Sequence, residues 1–125
     1  MARREVVAEK RSAEKNFQCS ISKGVTLVDF NAPWCKPCRV QARIIHRLEK
    51  DYHGKAKVTI LNIDKNQNVA FRVGIQSIPT IIIFKDGKEI HRFIGLQSIE
   101  TLDRALRKAI DPLTFQPHPK NPIRR

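Results

Sequence analysis

Apolar residues in this chain fall into short clusters, and their spacing changes along its length. Residues 25–30, VTLVDF, form a compact run rich in β-branched side chains, which predicts a buried strand. NAPW follows as a loop. From Cys35 the period becomes helical: Val40, Ile44 and Leu48 recur along one face with Ile45 and Tyr52 beside them. Arg39, Arg43, Arg47 and Lys50 occupy the other face, and Gly54 is suited to the turn just past the helix end. KVTILNID (57–64) predicts a second buried strand, and 66–73 a short helix stopped by Gly74. TIIIF (80–84) is the most hydrophobic strand. Lys85-Asp86-Gly87-Lys88 carries the Asp-Gly signal of a tight hairpin, whose second strand is EIHRFI (89–94). Ser98 is placed to cap a last helix, with Leu102, Ala105, Leu106, Ala109 and Ile110 as its apolar face.

The ends read differently. Residues 1–15 are charged and helix-favouring with few apolar anchors, and FQCSI (17–21) suits either an edge strand or a turn of helix. Residues 112–122 hold four prolines without periodicity. The organisation is therefore an N-terminal extension (1–16), one domain (17–110) and a basic, Pro-rich tail (111–125). Strands alternating with helices at the front imply a parallel crossover, and the hairpin implies an antiparallel edge. Together they give an α/β fold, a mixed central sheet with helices on both faces.

Composition narrows the partners. A chain of 125 residues supports one domain with a real core. No segment approaches the roughly 20 apolar residues of a membrane span. The charged N-terminus lacks the apolar stretch of a secretory signal, so the expected location is cytoplasmic, with no membrane partner. The net charge of +12 resides mostly on residues 17–110 and favours acidic partners. With one Trp and one Tyr, no aromatic stripe runs among the bases, which argues against a nucleic-acid role.

Three cysteines cannot form a paired framework, so attention falls on Cys35-Lys36-Pro37-Cys38. A zinc site needs two further ligands; Cys19, His46, His53, His91 and His118 exist, but without a second C-x-x-C or a paired His spacing. An inert buried pair is a second bland reading. Redox chemistry explains more. At a helix start Cys35 meets backbone N–H groups without intrahelical partners and the positive end of the dipole, with Lys36 adjacent. Both favour the thiolate over a free thiol of pKa about 8.5. Cys38, one turn inside, is placed to resolve a mixed disulfide formed on Cys35. Pro37 is tolerated in the first turn and stiffens the ring.

APWCKPC, with VDF upstream and SIPT, KDGK and Gly95 downstream, resembles the thioredoxin family in order and spacing over about residues 17–110. The resemblance implies the thioredoxin fold and a cytosolic protein-disulfide reductase. It implies no cofactor beyond the Cys35–Cys38 couple, and re-reduction by an NADPH-dependent flavoprotein reductase. By position, Cys35 matches the attacking thiol, Cys38 the resolving thiol, Asp29 the buried acid behind it, and Pro79 the family's cis-proline. Trp34, Pro37, Ile78, Gly95 and Leu96 match the apolar rim that receives substrate, with Lys36 beside them. The chain is taken as a monomer with no metal. Four positions depart from the family pattern. Lys36 replaces the common glycine, which should make the couple more oxidising; Ile60 stands where many members have a lysine near the acid. Arg43 stands at a frequent helix-kinking proline, and Asn31 at a frequent aromatic. A non-catalytic docking module and a disulfide oxidase or isomerase are the alternative functions. Cys19 is expected to be a free, partly buried thiol. The Arg39–Lys50 stripe is expected to be a solvated face that also steers acidic partners.

Overall fold

The structure, a computed structural model, describes residues 2–113, with side chains from residue 12. The elements are α1 (Ala2–Ile21), β1 (Val25–Asn31), α2 (Lys36–Asp51), β2 (Lys57–Asn62), α3 (Gln67–Val73), β3 (Thr80–Lys85), β4 (Lys88–Ile94) and α4 (Ile99–Ile110). One four-stranded sheet runs in the order β2-β1-β3-β4, with β1 and β2 parallel and the other pairs antiparallel. The expected mixed sheet is present, with β1 at its centre.

The central strands β1 and β3 are buried on both faces, so side chains alternate between two cores. Val25, Leu27, Ile81 and Ile83 meet Ile45 and Leu48 of α2 and Leu102 and Leu106 of α4. Val28, Phe30, Ile82 and Phe84 meet Phe17 and Ile21 of α1 and Val69 of α3. FQCSI is therefore helix: Phe17 packs edge-on against Phe84, with ring centroids 5.6 Å apart, and Ile21 is buried. The helix runs unbroken through the expected boundary at residues 16–17, and Glu14 pairs with Arg72 of α3 at 3.2 Å. Cys19 is exposed, not partly buried, because it lies on the solvent side of this helix. The tail beyond residue 113 lies outside the described residues.

The buried stripe of α2 is Cys38, Gln41, Ile45 and Leu48; Val40, expected on that face, is 49% exposed. The correction is one of phase. The helix starts at Lys36 with Cys38 inward, and Val40 then falls on the outer edge. At its far end, buried Tyr52 donates its hydroxyl hydrogen to Asp103 of α4, and burial together with this bond raises the phenol's pKa. Ser98 caps α4 as expected, accepting from the Thr101 N–H.

At the pole where β1 begins and β3 ends, the hairpin turn is stitched to the α1–β1 link. The Gly24 N–H donates to the Asp86 carboxylate at 2.8 Å, and the Asp86 N–H donates back to the Gly24 carbonyl at 2.9 Å. The Gly87 N–H reaches the Ile21 carbonyl at 2.9 Å. Asp86 and Gly87 both hold positive φ (51° and 87°), as the tight Asp-Gly turn requires.

Candidate active site

The site assembles at the opposite pole, where β1 ends. Cys35 is the N-cap of α2, in extended conformation, and the Cys38 N–H donates to its Sγ at 3.3 Å. The two cysteines are joined as a disulfide, with Cys35 6% and Cys38 1% exposed. Lys36 and Pro37 occupy the first helical positions and face solvent. The sulfur of the capping residue thus takes the place of the usual cap oxygen, so an anion on Cys35 Sγ would be met by an N–H at the positive end of the dipole.

The Ile78–Pro79 peptide is cis, and the Ile78 carbonyl oxygen lies 4.0 Å from Cys35 Sγ. Pro79 is buried while Ile78 is half-exposed. The Gly95 N–H donates to the Pro79 carbonyl at 2.9 Å, tying the end of β4 to the proline. Trp34 is 66% exposed, and its indole N–H donates to Asp64 at 3.0 Å, which fixes an apolar ring at the surface. Leu96 (49%) and Ile94 (67%) are also exposed. Ile94, the last residue of EIHRFI, is an exposed apolar neighbour that the sequence reading passed over; its position next to Gly95 was the available signal.

Asp29 is fully buried, and neither carboxyl oxygen has a hydrogen-bond partner among the described residues. Two residues beyond Leu27, it faces the same side of the sheet, the side α2 covers, and so lies in the layer that receives buried Cys38. Its register partner on β2 is Ile60, with no ammonium there to offset a negative charge. Burial raises the Asp29 pKa from 3.8 to about 7.

Gln41 was not singled out from sequence. Also fully buried, its side-chain amide donates to the Gln97 carbonyl at 3.1 Å, and its oxygen accepts from the Gln97 N–H at 2.7 Å. This pair pins the segment after Gly95 and Leu96 to α2. The available signal was a polar residue three positions after Cys38 on an inward-facing stripe. Arg92 plays a comparable part on the other flank. A register shift in β4 puts Glu89 and Arg92 on one face, paired at 2.7 Å, and Arg92 donates to the Val73 and Gly74 carbonyls at the end of α3.

A helix-capping cysteine couple, a cis-proline beside it and a buried acid beneath it, on a mixed sheet, define a thiol–disulfide oxidoreductase. The thioredoxin family model matches residues 8–108. Thioredoxin of Staphylococcus saprophyticus is 41% identical over 95 residues, covering 76% of this chain and 91% of that protein. Thioredoxin of Staphylococcus haemolyticus is 42% identical with the same coverage. A thioredoxin structure from Halobacterium salinarum superposes with a TM-score of 0.67 at 28% identity, covering 74% of this chain and 80% of that one. The chain belongs to the thioredoxin family.

Proposed function

We infer that the chain reduces disulfide bonds in other proteins by cycling its own cysteine couple. Cys35 is the attacking thiol, Cys38 the resolving thiol and Asp29 the proton carrier. The observation that carries the reading is the capping geometry at Cys35, whose Sγ accepts the Cys38 N–H. In the dithiol form that N–H and the helix dipole favour the Cys35 thiolate, which is the nucleophile. It attacks one sulfur of a substrate disulfide; a Cys35–substrate disulfide forms and one substrate thiolate leaves and takes up a proton. Cys38 gives its proton to Asp29 and attacks Cys35 Sγ. The mixed disulfide breaks, the second substrate thiol departs, and two electrons have passed to the substrate. A carboxyl with a pKa of about 7 is populated in both forms near neutrality, which suits it to take and return that proton.

Trp34, Ile78, Pro79, Gly95 and Leu96, flanked by Lys36 and Pro37, supply the surface on which the substrate chain rests. Exposed apolar side chains around a nearly buried sulfur suit an extended segment of a protein better than a small polar thiol. The couple is its own redox carrier and needs no dissociable cofactor. Electrons to restore it come from an NADPH-dependent flavoprotein reductase, in the cytoplasm, with the chain acting as a monomer. No helix among the described residues is long and apolar enough to cross a membrane.

Insulin reduction driven by a dithiol tests the proposal. The wild type should accelerate precipitation of the insulin chains, Cys35→Ser should abolish the acceleration, and Cys38→Ser should accumulate a mixed disulfide. A wild-type rate equal to that of the dithiol alone would overturn the catalytic reading in favour of a docking module.

A further inference from the structure

Strand β4 and helix α4 do not close on one another. A groove of about 530 Å³ runs between them. Its floor is apolar: Ile83 of β3, Phe93 of β4, and Ala105 and Ala109 of α4. The two alanines lie one turn apart on the helix, where longer side chains would fill the space. Ile90, the unpaired residue where the β4 register shifts between Ile83 and Phe84, lines the groove and remains 47% exposed.

The rim has a different chemistry. Lys85 projects from the end of β3, Arg104 and Lys108 stand one turn apart on α4, and His91 leans on Phe93 with ring centroids 4.2 Å apart. Among the described residues, no Asp or Glu lines the groove. Arg92 and Arg107, nearby on the same two elements, pair with Glu89 and Asp103. The side chains of Lys85, Arg104 and Lys108 make no ion pair or hydrogen bond among the described residues. Three cations without a side-chain partner among the described residues, set around an apolar floor, suit a ligand that brings both an apolar body and a negative charge. An arginine fork accepts a carboxylate with two parallel bonds, and the lysines add charge. The volume falls within the roughly 300–1,000 Å³ of small-molecule sites.

The groove is separate from the thiols. Lys85 lies five residues along β3 from Thr80, which follows Pro79, or about 17 Å at the rise of a strand. We propose that this groove is a second binding site, taking a small amphipathic organic anion: an apolar chain or ring ending in a carboxylate or sulfonate.

The test is titration of the full chain with decanoate, decanol and acetate at low salt, below the micelle concentration, followed by amide and methyl NMR shifts. Decanoate should saturate one site and move the signals of Ile83, Ile90, Phe93, Ala105 and Ala109. Decanol should bind about tenfold more weakly, as expected for a few solvent-exposed charge contacts, and acetate should not saturate. The double variant Arg104→Gln, Lys108→Gln should bring decanoate binding down to that of decanol and leave insulin reduction unchanged. Ala105→Leu, which fills the floor, should weaken decanoate and decanol alike. Absence of saturation, equal affinity for decanoate and decanol, or shifts centred on Trp34 would each overturn the proposal.

Discussion

Asp29 of β1 and Gln41 of α2 are both fully buried polar residues, and they are treated in opposite ways. On the flank, both ends of the Gln41 amide are bonded to the backbone of Gln97. Beneath the helix, both oxygens of Asp29 are without partners among the described residues. A buried polar group with its bonds made holds structure; a buried carboxyl without them is costly to ionise, and its pKa rises. The first region fixes the segment that follows Gly95 and Leu96, and the second places a carboxyl of raised pKa in the couple's layer.

The strongest way to break this contrast is to remove the charge at Asp29. Its proton is held up to a pH of about 7 when folded but only to the ordinary 3.8 when unfolded. The stability it contributes is therefore whole below about pH 4 and is lost as pH rises to about 7. The rise from 3.8 to about 7 corresponds to about 4 kcal/mol. Denaturation of the oxidised protein at pH 4 and pH 8 should show the wild type losing about that much relative to Asp29→Asn. The variant should also lose the inflection near pH 7 in the rate of mixed-disulfide resolution. Parallel stability profiles would mean that Asp29 carries no buried charge.

At Gln41 the expected effect is smaller and independent of pH. Gln41→Ala leaves a half-buried N–H and carbonyl of Gln97 unpaired, at a cost of about 1–3 kcal/mol. Because the freed segment carries Leu96, KM for a protein disulfide should rise while reaction with a small dithiol is kept. Equal losses with both substrates would place the effect in the couple rather than the rim.

The smallest effect belongs to Lys36, which is exposed at the helix start. Lys36→Gly should lower the potential of the couple by about 10 mV, since a screened cation near a thiolate favours the dithiol form only modestly. Equilibration against glutathione measures it, and a variant potential equal to or above the wild type would remove Lys36 from the explanation.

The legible parts of this molecule are those set by short-range patterns. VTLVDF and TIIIF are strands because their β-branched runs can only be buried, Asp86-Gly87 turns the chain through its own positive φ angles, and Ser98 caps through a bond to Thr101, three residues on. The cysteine couple was legible for the same reason, since a helix cap is local. Gln41 was not, because its partner lies 56 residues away and an isolated glutamine gives no hint of it. The Trp34–Asp64 bond, spanning 30 residues, was hidden likewise. Val40 misled because a helical period leaves the phase open until the start of the helix is known. α1 was ambiguous because its anchors, Phe17 and Ile21, are few and act only once β1 and β3 are in place.

The stitching of Gly24 to Asp86, and of Ile21 to Gly87, gives the molecule a fixed base at the end of the sheet away from the thiols. Mechanical load applied through α1 would enter the sheet there, at Val25 and Lys85, which are register partners. It would be shared by two strands before reaching the cysteines. A surface attachment or fusion made through that helix would therefore present the reactive end outward, with Cys19 as a ready chemical handle on the helix itself.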